Sequence, residues 1–246
     1  MSIDAVIFDC DGTLVDSEPL GLAVIVEEAR ALGIEFATRD DLLMLKGQSM
    51  AACLQAVALL YGRALPEDFE ATVRRSMAAA FRENLQPMPG ALEMLTSLKL
   101  PYCVASNGPR HKIELTLEIT GLLSLFRDRI FSAYEVGSFK PEPGLFLHAA
   151  KAMGVAPDRC AVVEDSIAGV RAGLAARMSV YVLRSPQSLP PELAERVQSL
   201  DRLEELADAP WNRADMGRAW RSLAARDRER QQGRQGRAAG DGPWGA

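Results

Sequence analysis

The sequence has few of the residues that build zinc sites or disulfide frameworks. Its four cysteines are scattered without a C-x-x-C pair, and there are only two histidines, so neither feature is expected. No apolar run approaches the roughly 20 residues of a membrane span, and the first residues, MSIDAVIFD, lack the basic segment and apolar core of a secretion signal. We therefore expect a cytoplasmic protein that does not bind a membrane.

Basic charge is scarce outside the C-terminal segment. The whole chain has a formal net charge of -5, and residues 213–246 hold 8 arginines against 4 acids, which leaves 20 basic against 29 acidic residues in the remainder. Such an acidic body does not favour nucleic acid as a partner. Residues 211–246, rich in Gly, Arg and Gln, are expected to form a disordered tail, although a basic tail could also bind RNA or another partner.

The hydrophobic pattern predicts an α/β protein. An apolar strand at 5–8 is followed by a purely helical segment, and from residue 89 onward helices alternate with short apolar strands. This alternation predicts a Rossmann-like parallel sheet covered on both faces, with an inserted all-helical domain. The later strands are predicted at 102–106, 130–133, 160–164 and 180–183. The helices are predicted at 18–32, 40–45, 49–61, 66–81, 90–97, 109–119, 144–153 and 166–175.

Two carboxylates follow the first predicted strand, in the stretch AVIFDCDGTLVDSE that begins at residue 5. Asp9 comes directly after the apolar run and Asp11 follows two positions later, so that at strand spacing both share a face. Neighbouring acids need a counter-cation, because burial of an unpaired carboxylate is costly. The pair indicates a functional site, although an acidic turn that closes the strand is the simpler alternative.

Polar residues also follow three later strands. Ser106 and Asn107 precede a helix whose free N–H groups favour an anion, unless one of the two merely caps that helix. Lys140 lies in a proline-rich turn and is either a fixed cation or a surface lysine. Glu164 and Asp165 open another helix, where acids also interact favourably with the helix dipole. Since ligands of parallel sheets bind beyond the carboxyl ends of the strands, we expect these side chains to lie near the first acidic pair.

This ordered set resembles the four motifs of the haloacid dehalogenase superfamily. The D-x-D-G-T motif is matched by residues 9–13, the strand-end serine by Ser106, the K-P lysine by Lys140 and the acidic pair by Glu164 and Asp165. The resemblance extends to about residue 207, where the strand-helix alternation ends. It implies a core domain at 1–15 and 88–210 and a helical cap domain at 16–87.

The resemblance also implies a Mg²⁺-dependent phosphatase that acts on a small phosphorylated metabolite through an aspartyl phosphate. Asp9 would be the nucleophile, Asp11 the general acid and base, and Lys140 a further catalytic residue. The phosphate would be bound by Thr13, Ser106, Asn107 and Lys140. The ion would be held by Asp9, the backbone carbonyl of Asp11, Asp165 and, as a second or outer ligand, Glu164.

The cap segment LKGQSM is similar to the L-K-G-x-S-R segment of β-phosphoglucomutases. Met50, however, stands where those mutases have an arginine, and Gly21 stands where they have a cap histidine. Both departures favour hydrolysis, with a phosphomutase as the alternative. A phospho-aspartate signalling module is a more distant alternative, because receiver domains also phosphorylate an Asp at a strand end; Asp11 and the inserted helices argue against it.

Within the phosphatases, the segments VASNGPRHKIE and EDSIAGVRAG resemble bacterial 6-phosphogluconate phosphatases and related sugar phosphatases. We expect a monomer or a weak dimer whose cap and rim select the substrate. His111 and Lys112 are further candidates for binding a substrate carboxylate, although the stretch 110–112 could equally be a solvated helical turn. The specificity residues expected from the resemblance are Lys46, Gln48, Ser49 and Arg110.

Overall fold

A parallel six-stranded sheet lies at the centre of the computed structural model, which describes residues 2–34, 50–183, 189–209 and 211. The strand order is β3-β2-β1-β4-β5-β6, and every neighbouring pair is parallel. The predicted parallel sheet is therefore confirmed. The strands are β1 (Ala5–Phe8), β2 (Tyr102–Ser106), β3 (Ile130–Ser132), β4 (Cys160–Glu164), β5 (Ser179–Leu183) and β6 (Gln198–Leu200).

Strand β1 occupies the middle of the sheet because all four of its residues are apolar and buried. Its last residue, Phe8, is in register with Val104 of β2 on one side and with Val163 of β4 on the other. The carboxyl ends of these three strands therefore meet at one edge of the sheet, and the polar residues that follow them are brought together there.

Helices cover both faces of the sheet, and the alternation of side chains along the strands divides the core in two. Val6 and Phe8 of β1 belong to one apolar cluster, whereas Ala5 and Ile7 belong to the other. The helices are α1 (Glu18–Ala31), α2 (Met50–Tyr61), α3 (Phe69–Asn84), α4 (Ala91–Ser97), α5 (Arg110–Ile119), α6 (Leu123–Phe126), α7 (Ala133–Val136), α8 (Gly144–Met153), α9 (Ile167–Ala175) and α10 (Pro191–Ala194). Two 3₁₀ helices span Pro157–Arg159 and Leu203–Asp208.

Helices α1, α2 and α3 pack around a third apolar cluster of their own, which includes Val26, Val57 and Val73. Two linkers join this helical unit to the sheet and run side by side: the Asp16 N–H donates to the Gln86 carbonyl at 3.0 Å, and the Met88 N–H to the Leu14 carbonyl at 2.9 Å. The first linker continues directly from the loop that carries Asp9 and Asp11. Among the described residues, no helix is long and apolar enough to cross a membrane.

The structure departs from the sequence-based expectations in several places, and the short helices α6, α7 and α10 were among the elements not predicted. Strand β6 was not predicted, because it is a three-residue edge strand with two exposed residues and has no hydrophobic run. Trp211, placed at the start of the tail, is buried at 9% exposure, and its indole N–H donates to the Tyr181 hydroxyl at 2.7 Å; it belongs to the core. The predicted helix 40–45 and residues 212–246 lie outside the described residues.

Candidate active site

Asp9 lies at the carboxyl edge of the sheet, directly after the last residue of β1. Its N–H donates to the Val163 carbonyl at 2.9 Å, which extends the pairing of β1 and β4 by one residue. Lys140 Nζ lies 2.5 Å from Asp9 Oδ1 and 2.6 Å from Glu164 Oε1, and the lysine side chain is only 2% exposed. Asp9, Lys140 and Glu164 thus form one buried charge cluster.

Lys140 is held in place through its backbone. The Asn107 side chain donates from Nδ2 to the Lys140 carbonyl at 3.2 Å and accepts the Lys140 N–H on Oδ1 at 2.9 Å. The lysine Nζ also lies 4.8 Å from the centre of the Phe146 ring, a distance at which the ring attracts a cation. The predicted phosphate-binding residue Asn107 therefore contacts the neighbouring loop with its side chain, which positions the lysine.

Glu164 has its two oxygens engaged in different directions. Oε1 accepts from Lys140, and Oε2 accepts from the N–H groups of Asp165 and Ser166 and from the Ser166 hydroxyl at 2.9–3.0 Å. The carboxylate is fully buried at the start of α9. It can lie there only because residue 169 is glycine, since a Cβ at Gly169 would come within 1.8 Å of Glu164 Cδ.

Asp165 approaches the loop after β1. The Thr13 hydroxyl donates to its Oδ1 at 3.4 Å. Gly12 has φ +75, a left-handed conformation that favours glycine, and a Cβ there would lie 2.3 Å from Asp165 Oδ2. The glycine of the D-x-D-G-T motif therefore serves both the turn and the close approach of this acid.

Asp11 has other partners. Its Oδ1 accepts from the Ser17 hydroxyl at 2.6 Å and is paired with the Lys112 ammonium. Lys112 lies in the first turn of α5, and its side chain is 25% exposed. The second acid of the motif therefore lies at the open rim of the site, whereas Asp9 lies inside it.

The pKa values of the two aspartates shift in opposite directions. Burial raises the pKa of Asp9 to about 7 in the absence of a metal ion, and this effect outweighs the attraction of Lys140. Burial also acts to raise the pKa of Asp11, but the Lys112 ammonium and the Ser17 hydroxyl hold it below its ordinary value. The carboxylates of Asp9 and Glu164 raise the pKa of Lys140 despite its burial, so this side chain remains a cation.

Ser106 and Arg110 occupy different surroundings. Ser106 is buried at the end of β2, and its hydroxyl accepts the Gly108 N–H at 3.0 Å. Arg110 points into a surface network, where it donates to Glu135 at 2.7 Å, to Glu114 at 3.0 Å and to the Ile130 carbonyl at 2.9 Å. Two carboxylates thus already neutralise the guanidinium that the sequence suggested as a specificity residue. The other predicted specificity residues, Lys46, Gln48 and Ser49, lie outside the described residues.

The acids at the sheet edge suit a hard divalent cation. One carboxylate oxygen from each of Asp9, Glu164 and Asp165 lies within 4.8 Å of the others, and all three residues are buried. Neighbouring carboxylates repel one another unless a cation lies between them. Burial raises the pKa of Asp9 and the neighbouring Glu164 carboxylate raises it further, although Lys140 opposes both effects. The donor set therefore fits an oxygen-preferring metal ion.

The contacts of Asp11 with Ser17 and Lys112 were not predicted from the sequence. Ser17 follows the D-x-D-G-T motif within the same segment, but nothing in its spacing distinguishes it from the cap of the next helix. Lys112 was considered for substrate binding, and its pairing with Asp11 could not be foreseen across 101 positions of sequence.

Comparison with known proteins places the chain in a family. The model of haloacid dehalogenase-like hydrolases matches residues 3–177. The 6-phosphogluconate phosphatase of Escherichia coli K12 is 34% identical over 207 residues, covering 84% of this chain and 94% of that protein. Hexitol phosphatase B of the same strain is 32% identical over 191 residues, covering 75% of this chain and 85% of that one.

A solved structure agrees with this placement. A haloacid dehalogenase family hydrolase from Deinococcus radiodurans R1, crystallised with bound phosphate and sodium, superimposes with a TM-score of 0.68 at 29% identity, covering 83% of this chain and 93% of that one. The chain therefore belongs to the haloacid dehalogenase-like hydrolases. The predictions of this superfamily, of its fold and of a phosphatase as the enzyme class are confirmed.

Proposed function

We propose that the protein is a Mg²⁺-dependent phosphatase of a sugar phosphate or sugar-acid phosphate, such as 6-phosphogluconate, and that it works through an aspartyl phosphate on Asp9. The observation that carries this proposal is the buried cluster at the carboxyl edge of the sheet, in which Lys140 contacts both Asp9 and Glu164. A carboxylate held against a fixed cation is suited to attack on a phosphate monoester. The similarity to phosphatases of sugar acids and hexitols supports the substrate class.

In the first half of the reaction, Asp9 Oδ attacks phosphorus and the bond from phosphorus to the ester oxygen breaks. Asp11, in the protonated form that the second half of each turnover regenerates, gives its proton to the departing alcohol, which leaves as a neutral molecule. The Lys140 ammonium, the Ser106 hydroxyl and the backbone N–H groups near Asn107 bind the phosphoryl oxygens.

In the second half, Asp11 takes a proton from a water molecule that attacks phosphorus, and inorganic phosphate leaves Asp9. The Ser17 hydroxyl, 2.6 Å from Asp11 Oδ1, orients this carboxylate in both steps. A single carboxylate can serve both steps because the first leaves it ionised and ready to accept the next proton.

Mg²⁺ would be held by Asp9, Asp165 and the backbone carbonyl of Asp11. When bound, the ion reduces the repulsion between the attacking carboxylate and the anionic substrate. Glu164 would act from the second layer, because its oxygens already accept from Lys140 and from the N–H groups of Asp165 and Ser166, just before α9. Thr13 would hold Asp165 in place.

Residues 16–87 would form the cap over a core at 1–15 and 88–210, with the paired linkers at Leu14–Glu18 and Pro87–Gly90 as hinges. Closure of the cap would exclude bulk water from the aspartyl phosphate. Gly21, on the first cap helix, has Met77 Cε as its nearest neighbour in the direction of a side chain. An apolar contact at this position supports hydrolysis over phosphate transfer back to a sugar, which needs polar groups that hold and reorient a second phosphate.

A hydrolysis screen tests this function. The unmodified protein is assayed for phosphate release from 6-phosphogluconate, hexitol phosphates, hexose 6-phosphates, phosphoglycolate and β-glucose 1-phosphate, with Mg²⁺ and with EDTA. We expect metal-dependent release that is fastest with sugar-acid or polyol phosphates. Conversion of β-glucose 1-phosphate to glucose 6-phosphate would favour the mutase instead, and inactivity towards every ester would overturn the proposal.

A further inference from the structure

Lys112 occupies a fixed position between the phosphate-binding loop, the second acid and the cap. Its ammonium is paired with Asp11, and its stem passes Gly108, where a Cβ would lie 3.4 Å from the lysine Cδ. On the cap side, Nζ lies 5.8 Å from the centre of the Phe81 ring of α3, close enough for a cation–π contact. The ammonium is therefore held between Asp11 and helix α3.

The two lysines of the site differ in what they can still bind. The Lys140 ammonium lies between Asp9 and Glu164, with a side chain that is 2% exposed, and has one of its three N–H donors left for a phosphoryl oxygen. Lys112 is 25% exposed and donates to Asp11. Because an ammonium carries three N–H donors, Lys112 can keep its contact with Asp11 and still donate to a ligand.

The position of Lys112 decides which part of a substrate it can reach. In the proposed reaction Asp11 contacts the ester oxygen, and its Oδ1 already accepts from Ser17 and Lys112. Two hydrogen bonds across one carboxylate therefore separate the ester oxygen from the ammonium, a distance of about 5–8 Å. The oxygen on the carbon next to the ester carbon is the first substituent of the leaving group that this ammonium can meet.

We propose that Lys112 is a specificity-determining residue that binds the oxygen substituent on the carbon next to the ester carbon. The enzyme would then prefer phosphates of polyols, sugars and sugar acids, which have such an oxygen, over plain alkyl phosphates, which lack it. This inference rests on the proposed phosphatase function and deepens it. An oxygen at this position is common to sugar acids and sugar alcohols.

A pair of small substrates tests the proposal. Glycerol 3-phosphate and propyl phosphate have the same chain length, but only the first has a hydroxyl on the neighbouring carbon. We expect the unmodified enzyme to prefer glycerol 3-phosphate in kcat/KM. Lys112→Met, which keeps the apolar stem, should reduce that preference by about 10- to 100-fold, as expected for loss of a hydrogen bond to a charged group.

Ser17→Ala is the matched control, because Ser17 donates to the same oxygen of Asp11 but faces no substrate oxygen in the proposed arrangement. It should slow both substrates by similar factors and leave the preference unchanged. Thermal unfolding of each variant shows that it is folded, and Lys112→Gln, which keeps a donor, should retain part of the preference.

Equal losses with both substrates in Lys112→Met would overturn the assignment, because Lys112 would then act only through Asp11. Such equal losses leave the ratio of the two kcat/KM values unchanged, which is the result that the proposal excludes. If the unmodified enzyme hydrolyses neither these esters nor any in the wider screen, the proposed function itself fails, a result distinct from these equal losses.

Discussion

Asp9 and Asp11 are two residues apart in the chain, yet their surroundings differ. Asp9 shares a buried lysine with Glu164, and burial raises its pKa. Asp11 lies at the rim with a partly exposed lysine and a serine, and its pKa is lowered. The two neighbouring carboxylates therefore differ because their partners come from different elements, Lys140 from the loop before α8 and Lys112 from α5.

The difference in exposure between the two acids agrees with a division of labour. The group that forms the covalent intermediate must be protected from water and held against the phosphate, which favours a sealed pair. The group that exchanges protons with the alcohol and with water must stay accessible. The following experiments change one side of this comparison at a time.

Replacement of Asp9 should have the largest effect. Asp9→Asn removes the nucleophile, so we expect turnover to fall by about 10⁴-fold or more. The measurement is steady-state phosphate release with Mg²⁺, and circular dichroism verifies the fold. Activity close to that of the unmodified enzyme would reject Asp9 as the nucleophile.

Replacement of Asp11 should be less severe and should depend on the leaving group. Asp11→Asn is expected to lower kcat/KM for a sugar phosphate by about 10²- to 10⁴-fold, because an alkoxide then leaves without a proton. With p-nitrophenyl phosphate the loss in kcat/KM should be smaller, since p-nitrophenolate leaves unprotonated. Equal losses with the two leaving groups would argue against Asp11 as the general acid.

Replacement of Lys140 and replacement of Lys112 should have different effects on the free energy of unfolding. Lys140→Met leaves Asp9 and Glu164 buried without their cation, which should lower the free energy of unfolding by about 3–5 kcal/mol. Lys112→Met breaks a partly exposed pair and should cost less than about 1 kcal/mol. Urea unfolding in EDTA measures both. Similar losses in the free energy of unfolding would mean that the difference in burial between the two ion pairs does not affect stability.

The pH dependence of the metal-free protein gives the most specific test. Because the pKa of Asp9 is raised to about 7, the folded state keeps its proton where the unfolded state has lost it, so this group costs stability as pH rises from about 4 to 7. The amide side chain of the Asp9→Asn variant cannot ionise. The free energy of unfolding of this variant should therefore rise relative to that of the unmodified protein across this pH range, by about 2–4 kcal/mol at the upper end.

Asp11→Asn should change the free energy of unfolding in the opposite direction. The lowered pKa of Asp11 stabilises the fold above the ordinary carboxyl value, and this contribution is lost as pH falls through the folded pKa. The variant should therefore be less stable than the unmodified protein at neutral pH and approach it in acid. Thermal unfolding in EDTA at several pH values measures both curves, and curves of the same sign would contradict the assignment of the two environments.

Much of the fold could be predicted because β-rich runs and helical periodicity are local. Strands β2 and β4 and helix α8 begin and end at the predicted residues. Strand β6 was missed because an exposed three-residue edge strand has no such pattern. The pairing of Arg110 with Glu135, 25 positions away, also has no local pattern, whereas its pairing with Glu114 follows the i,i+4 spacing of a helix.

By itself, the sequence determined that Asp9 and Glu164 would lie at one edge of the sheet, because parallel strands bring their carboxyl ends together and the pattern located those ends. Only the tertiary structure decided which charge neutralises which. Lys112 pairs with Asp11 across 101 positions, and Asn107 holds the Lys140 backbone across 33. Such pairings depend on how helices and loops pack above the sheet. The motif therefore identified the two acids, and the packing around them buried Asp9 and left Asp11 partly exposed.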